Sequence, residues 1–132
     1  MGMFQSRPES WRKARAFIED FGKGAGLARD STLRANLVIE ELFVNTVKHG
    51  HRGGSDAVVW ITLALRGDRV AVDYEDHAAP FNPFGRPPDE LRVPPPHAHV
   101  EGGLGVILAN ALAASVDYAY VFGRNRIRLE IR

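Results

Sequence analysis

Residues 38–50 read Val-Ile-Glu-Glu-Leu-Phe-Val-Asn-Thr-Val-Lys-His-Gly (VIEELFVNTVKHG), and within them Glu41, Asn45 and His49 recur at four-residue intervals. Placed on an α-helix with Glu41 at zero and about 100° per residue, Asn45 falls near ~40°, His49 near ~80° and Lys48 near ~−20°. Leu37, Val38, Ile39, Leu42, Phe43, Val44 and Val47 fill nearly all the remaining arc, with Glu40 the one polar intruder. A helix that is apolar round most of its circumference is buried. A narrow polar seam on such a helix is then expected to line something wet. The plainer alternative is an ordinary solvent face. Such faces, however, carry several flexible charges paired at four-residue spacing. A carboxylate, a carboxamide and an imidazole are instead the mixture found around a metal-bound or phosphate-bound ligand.

Working outward, this helix is expected over about 31–49, opened by Asp30 or Ser31 and closed at Gly50. An earlier helix is expected over 8–24. Pro8 suits its first turn, Ser6 or Ser10 supplies a cap, and Trp11, Ala14, Phe17, Ile18 and Phe21 form its apolar stripe. Residues 57–66 and 70–75 read as a hairpin joined at Arg66-Gly67-Asp68-Arg69. Six of the eight prolines (83, 87, 88, 94, 95 and 96) fall between Asn82 and Glu101, which excludes helix and strand there. A third helix is expected over 104–114, then strands over 116–122 and 126–132 joined at Gly123-Arg-Asn125. In the last strand Ile127, Leu129 and Ile131 alternate with charged residues, giving one buried and one wet face. The order ααββ–loop–αββ predicts an α/β (α+β) two-layer sandwich with helices on one face.

The chain has 132 residues, which predicts one domain over 1–132. Hydrophobic content of 45% and charged content of 25% are those of an ordinary globular chain, so disorder is excluded. The absence of cysteine excludes disulfides and thiolate metal sites and fits a reducing compartment. A net charge of +1 offers no pull toward nucleic acid or a membrane surface. No apolar run approaches a membrane span, and Met1–Ser10 lacks a signal peptide's apolar stretch, so a cytoplasmic location is expected. His97 and His99, with His49, His51 and His77, lack the carboxylate support a metal site needs. Trp11, Trp60 and the phenylalanines are expected in the core.

Two further elements carry chemistry. Asp76-His-Ala-Ala-Pro-Phe81 follows a strand directly, and a carboxylate at a strand end with a turn behind it accepts a hydrogen bond from an amine edge such as that of adenine. Glu101-Gly-Gly-Leu-Gly-Val106 opens the third helix, where glycines let backbone N–H groups approach an anion. Neither the Rossmann nor the Walker glycine spacing is present.

Taken in order, the three elements resemble those of the GHKL (Bergerat-fold) ATPases. The nearest likeness is to the small anti-sigma-factor serine kinases of the RsbW/SpoIIAB type. Glu41-x-x-x-Asn45-x-x-x-His49-Gly50 resembles the family's N box. Asp76-His-Ala-Ala-Pro80-Phe81-Asn-Pro resembles its first glycine box, and Gly102-Gly103-Leu104-Gly105-Val106 its second. The resemblance implies a Bergerat fold with a mixed, mostly antiparallel sheet, and ATP and Mg²⁺ as the bound groups. Asn45 would hold Mg²⁺, and Glu41 would act as base or orienter for an attacking serine. Asp76 would take the adenine amine, and the glycines would cradle the phosphates. Lys48, His49, Ala78, Pro80, Phe81, Leu104 and Val106 would complete the ATP site, with residues 82–101 as its lid.

The implied function is that of an anti-sigma factor and protein serine kinase. It would sequester a sigma factor, phosphorylate a STAS-type antagonist and form a homodimer. Two departures stand out. Ala78 replaces the first box's glycine, which weakens nucleotide binding if that position requires a positive φ or close approach to the ligand. Only Met1–Arg7 is available for an edge strand before the first helix. The first departure motivates an alternative: a binding module without ATP turnover. A third idea, the catalytic part of a two-component histidine kinase, would need a second chain, because no helical hairpin with a phospho-accepting histidine is present.

Overall fold

The computed structural model describes residues 1–50, 57–83 and 111–132, the side chains of residues 49 and 50 excepted. Strand β1 is Gly2–Gln5, helix α1 Trp11–Gly24, helix α2 Arg29–Asn45, strand β2 Val58–Arg66, β3 Arg69–Asp76, β4 Ala113–Val121 and β5 Arg124–Ile131. A 3₁₀ turn (Pro8–Ser10) precedes α1, and a π-helical segment (Thr46–Gly50) continues α2.

The strands form one sheet in the order β1-β2-β3-β5-β4, and all four pairings are antiparallel. Both helices lie on one face. Side chains alternate along a strand, so the register aligns Ile61, Tyr74, Ile127 and Tyr118 in one row beneath the helices and Leu63, Val72, Leu129 and Val116 in the next. Ile18 of α1 and Val38, Ile39, Leu42 and Phe43 of α2 close the core above them. Continuing each strand by two residues places Asp76 opposite Asn125 on the same face. A polar pair thus terminates two apolar columns.

Local chemistry explains the joints. Helix α1 ends in a Schellman cap: Gly26 is left-handed at φ 68°, the Leu27 N–H donates to the Gly22 carbonyl and the Gly26 N–H to that of Lys23. Gly22 also sits where a Cβ would lie 2.4 Å from Thr32 Oγ1, so its lack of a side chain lets α1 and α2 approach. Hairpin β2–β3 turns on Gly67-Asp68 with Gly67 at φ 64°, the type II′ pattern.

Several expectations change. Helix α2 starts at Arg29, before Asp30 and Ser31, and Ala28 at its cap position makes no side-chain bond. Neither Ser6 nor Ser10 caps the first helix: the 3₁₀ turn starts after Arg7, and Ser10 precedes α1 without a side-chain cap bond. The α-helical arithmetic of the polar seam holds only to Asn45. Beyond it the hydrogen bonds span five residues, so each residue turns the chain through less than 100°. The helix is also less buried than its composition implies: Leu37 is 49% and Leu33 39% exposed, because nothing described packs over that side.

Strand β4 begins at Ala113, three residues earlier than expected. Of the third helix only Ala111 and Leu112 are described, and both are helical. The β4–β5 turn is Phe122-Gly123, both at positive φ (52° and 76°), a type I′ turn, and not Gly123–Asn125. Phe122 is 97% exposed and so lies outside the core. Trp60 lies on the sheet face away from the helices, under the Arg124 guanidinium at 3.6 Å and edge-on to His77. The edge strand before the first helix exists as the four-residue β1, paired with β2.

Candidate functional site

At the end of the apolar columns, between α2 and the sheet, lies a cavity of about 390 Å³. That is within the range that holds small ligands. Its walls include Leu42, Asn45 and Thr46 from the end of α2, Tyr74 and Asp76 from β3, the turn Ala78–Phe81, and Asn125 and Ile127 from β5.

Asp76 is 6% exposed, so its carboxylate depends on protein donors. It has three. Asn125 Nδ2 donates to Oδ1 at 2.8 Å, the Ala78 N–H to Oδ1 at 3.1 Å, and the Thr46 hydroxyl to Oδ2 at 2.8 Å. Behind Thr46 stands Tyr74, whose hydroxyl is 2.6 Å from Thr46 Oγ1 and 3.2 Å from the Leu42 carbonyl oxygen. Burial holds the Tyr74 phenol well above its ordinary range, so it stays a neutral donor. An ionised carboxylate accepts about four hydrogen bonds. Three are filled from the protein, leaving one acceptor position on a carboxylate that lines the cavity.

Asn125 fixes the turn. Its Oδ1 accepts from the Phe81 N–H at 3.0 Å and the Tyr118 hydroxyl at 2.5 Å. Besides Asp76, its Nδ2 donates to the carbonyls of Ala78 (3.1 Å) and Ala79 (3.0 Å). Donors on one side and acceptors on the other leave a single orientation for the carboxamide. Ala78 is buried, and its φ is not positive, since among the described non-glycine residues only Phe122 has that conformation. The turn therefore does not require glycine at position 78.

The sequence-predicted residues fall into three groups. Asn45, Asp76, Ala78, Pro80 and Phe81 line the one cavity. Glu41 stands a turn before Asn45 on α2, half-buried, and its Oε1 is buried without a partner among the described residues. Desolvation raises its carboxyl above the ordinary value, against the pull of Lys48. Lys48 is not in the cavity's wall. It borders an apolar groove with Pro8, Trp11 and Phe43. The third group lies outside the described residues: Gly102, Gly103, Leu104, Gly105 and Val106, the segment 84–101 of the expected lid, and the His49 side chain.

Sequence reasoning missed Thr46, Tyr74, Tyr118 and Asn125. The strand alternation that placed Ile127 and Leu129 inward also places Asn125 inward, and that was the available signal.

The fold and the cavity define a two-layer α+β domain whose acid–amide pair closes the end of the sheet beside a cavity. Comparison with known proteins makes the class specific. The model of the histidine kinase-like ATPase domain family matches residues 4–131, and the chain belongs to that family. Membership in an ATPase-domain family implies nucleotide binding. Among solved structures, the Erythrobacter litoralis EL346 blue-light activated histidine kinase is similar at a TM-score of 0.53 and 16% identity, over 80% of this chain and 31% of that one. The histidine kinase domain from the same protein gives a TM-score of 0.47 and 20% identity, over 76% of this chain and 44% of that one. The chain thus spans less than half the length of either. No curated protein matches it.

Proposed function

We propose that the chain is an ATP-binding protein serine kinase that also acts as an anti-sigma factor. The observation that carries nucleotide binding is Asp76: a buried carboxylate, held by three donors, with one acceptor position left at a cavity. An exocyclic amine such as that of adenine satisfies that position. A carbonyl there, as on guanine, would face a carboxylate with no proton between them.

The residues present fit the remaining groups. Asn45 and Glu41 offer hard oxygen donors one turn apart, the ligand type that suits Mg²⁺. Asn45 would hold the metal, which when bound neutralises phosphate charge. Glu41, half-buried and with an orphaned oxygen, would orient a hydroxyl of the protein substrate and accept its proton. Desolvation, by raising the carboxyl, makes it a better base near neutral pH. Serine as the acceptor, a STAS-type antagonist as its carrier, a sigma factor as the sequestered partner, homodimerisation and a cytoplasmic location are what the resemblance to the small anti-sigma-factor serine kinases implies. No described helix is long and apolar enough to cross a membrane.

The rival reading, a binding module without turnover, drew on Ala78. Residue 78 needs no positive φ, so that reading now rests on the Ala78 methyl group's approach to the ligand alone.

The test is to titrate the protein with ATP and Mg²⁺ by calorimetry, then add a STAS-type antagonist and assay phosphoserine. Heat, a rise in Tm and serine phosphorylation abolished by Glu41→Ala are expected. Binding without transfer would favour the module, and no binding at all would overturn the nucleotide reading.

A further inference from the structure

Asn125 is 4% exposed, and its carboxamide makes five hydrogen bonds across two strands and a turn. Both lone pairs of Oδ1 are taken, and the two N–H groups serve three acceptors. Nothing remains with which it could bind a ligand directly. All five partners belong to Asp76, to the turn Ala78–Phe81, or to Tyr118, which braces the amide from β4.

The bonds run in a chain. Tyr118 donates to Asn125 Oδ1, Asn125 Nδ2 donates to Asp76 Oδ1, and the Phe81 N–H is pinned to the same Oδ1 as the Tyr118 hydroxyl. Asp76 Oδ1 therefore looks inward at protein donors. The spare acceptor capacity is left to Oδ2, which among the described residues Thr46 alone otherwise occupies.

We propose that Asn125, braced by Tyr118, is a positioning residue. It fixes the rotamer of Asp76 and the shape of the Ala78–Phe81 turn, so that the base-recognising acceptor is set before any nucleotide arrives. The proposal rests on the nucleotide-binding reading above. It differs from a merely structural role in one respect: removing the clamp blurs which base is chosen, besides weakening the fold. It also accounts for an alanine at position 78. The turn is held from outside by a side chain, so it does not depend on a glycine's conformations.

Asn125→Asp is the sharpest probe. It sets a second carboxylate against Asp76 across the 2.8 Å contact. Two carboxylates so close cannot both ionise without cost. At low pH, a protonated Asp at position 125 can still donate to Asp76 and partly restore the clamp. As pH rises that proton is lost and the donor becomes a repelling charge. ATP affinity of the variant is expected to fall by about 10- to 100-fold between pH 5 and pH 8, while that of the wild type stays comparatively flat.

The second readout compares ATP with purine riboside triphosphate, which lacks the 6-amino group. The wild type should prefer ATP, and Asn125→Ala should lose most of that preference. Tyr118→Phe introduces no buried charge and keeps the test available if the position-125 variants fail to fold. It is expected to weaken ATP by about 2- to 10-fold and to reduce the preference in the same direction.

If the wild type binds neither nucleotide, the functional reading fails and this one falls with it. If the wild type binds ATP, two results overturn the role of Asn125 alone. One is that folded position-125 variants keep a flat pH profile and full preference for the 6-amino group. The other, where those variants do not fold, is that Tyr118→Phe matches the wild type in affinity and preference.

Discussion

Thr46→Val removes one hydroxyl from the buried relay and little else. In the wild type that hydroxyl donates to Asp76 Oδ2 at 2.8 Å and lies 2.6 Å from the Tyr74 hydroxyl. Each residue has one proton, so the consistent assignment is Tyr74 to Thr46 and Thr46 to Asp76. A hydrogen bond to a charged, buried acceptor contributes about 1.5–3 kcal/mol. Water cannot replace it readily where Asp76 is 6% exposed. The methyl that valine adds at this buried site returns about 0.8 kcal/mol.

The expected net loss is therefore about 1–2 kcal/mol, which for a domain of this size is roughly 4–8 °C in Tm. Urea unfolding at pH 7 measures it, with Thr46→Ser as the control that keeps the hydroxyl. A cycle with Tyr74→Phe tests the relay itself: contacting residues couple by about 0.5–3 kcal/mol, whereas independent ones add. Thr46→Val as stable as wild type, or additive with Tyr74→Phe, would refute the relay.

Three other outcomes are expected. Ala78→Gly should cost about 1 kcal/mol, because Ala78 is not left-handed and glycine only loosens the unfolded chain. Calorimetry should show no gain in ATP affinity from it. Phe122→Asn should stabilise by about 1 kcal/mol, since asparagine tolerates the left-handed φ of 52° that phenylalanine resists. A lower Tm in that variant would show that the ring holds a contact. Glu41→Gln should stabilise the fold increasingly as pH rises. The folded-state carboxyl is raised above its ordinary value near 4.5, so its contribution is most favourable below that pH and is lost as it ionises above it. Unfolding midpoints of variant and wild type at pH 4 and pH 7 check this, and a difference that does not change with pH would sink it.

Periodicity carried the two helices, the two hairpins and the inward set of β5, because those elements bury one stripe or one face. It carried the Asp76 turn for a similar reason, since a carboxylate at a strand end before Ala-Ala-Pro has little local purpose. The rest depended on partners far along the chain. Alternation along β5 places Asn125 inward, but its position beside Gly123 reads locally as a turn, and pairing with β3 is what sets it opposite Asp76. Thr46 and Tyr74 look like ordinary helix and strand residues until β3 brings their hydroxyls together. The actual turn at Phe122-Gly123 defies local preference, because phenylalanine is a poor choice for a left-handed position. Helical arithmetic also counts how much of α2 is apolar without saying which part is covered, so the exposure of Leu37 could not be read from it.

The sheet order has a consequence for how the molecule is made. Strand β5 lies between β3 and β4, although it follows both in the chain. Asp76 and Asn125 are 49 positions apart. On a ribosome, β3 therefore emerges with one long edge open and waits for a strand not yet synthesised. Closing so wide a gap is slow compared with forming a local hairpin. The base pocket is complete only after that late insertion, so nascent chains halted before residue 125 should neither retain nucleotide nor hide the β3 edge from chaperones.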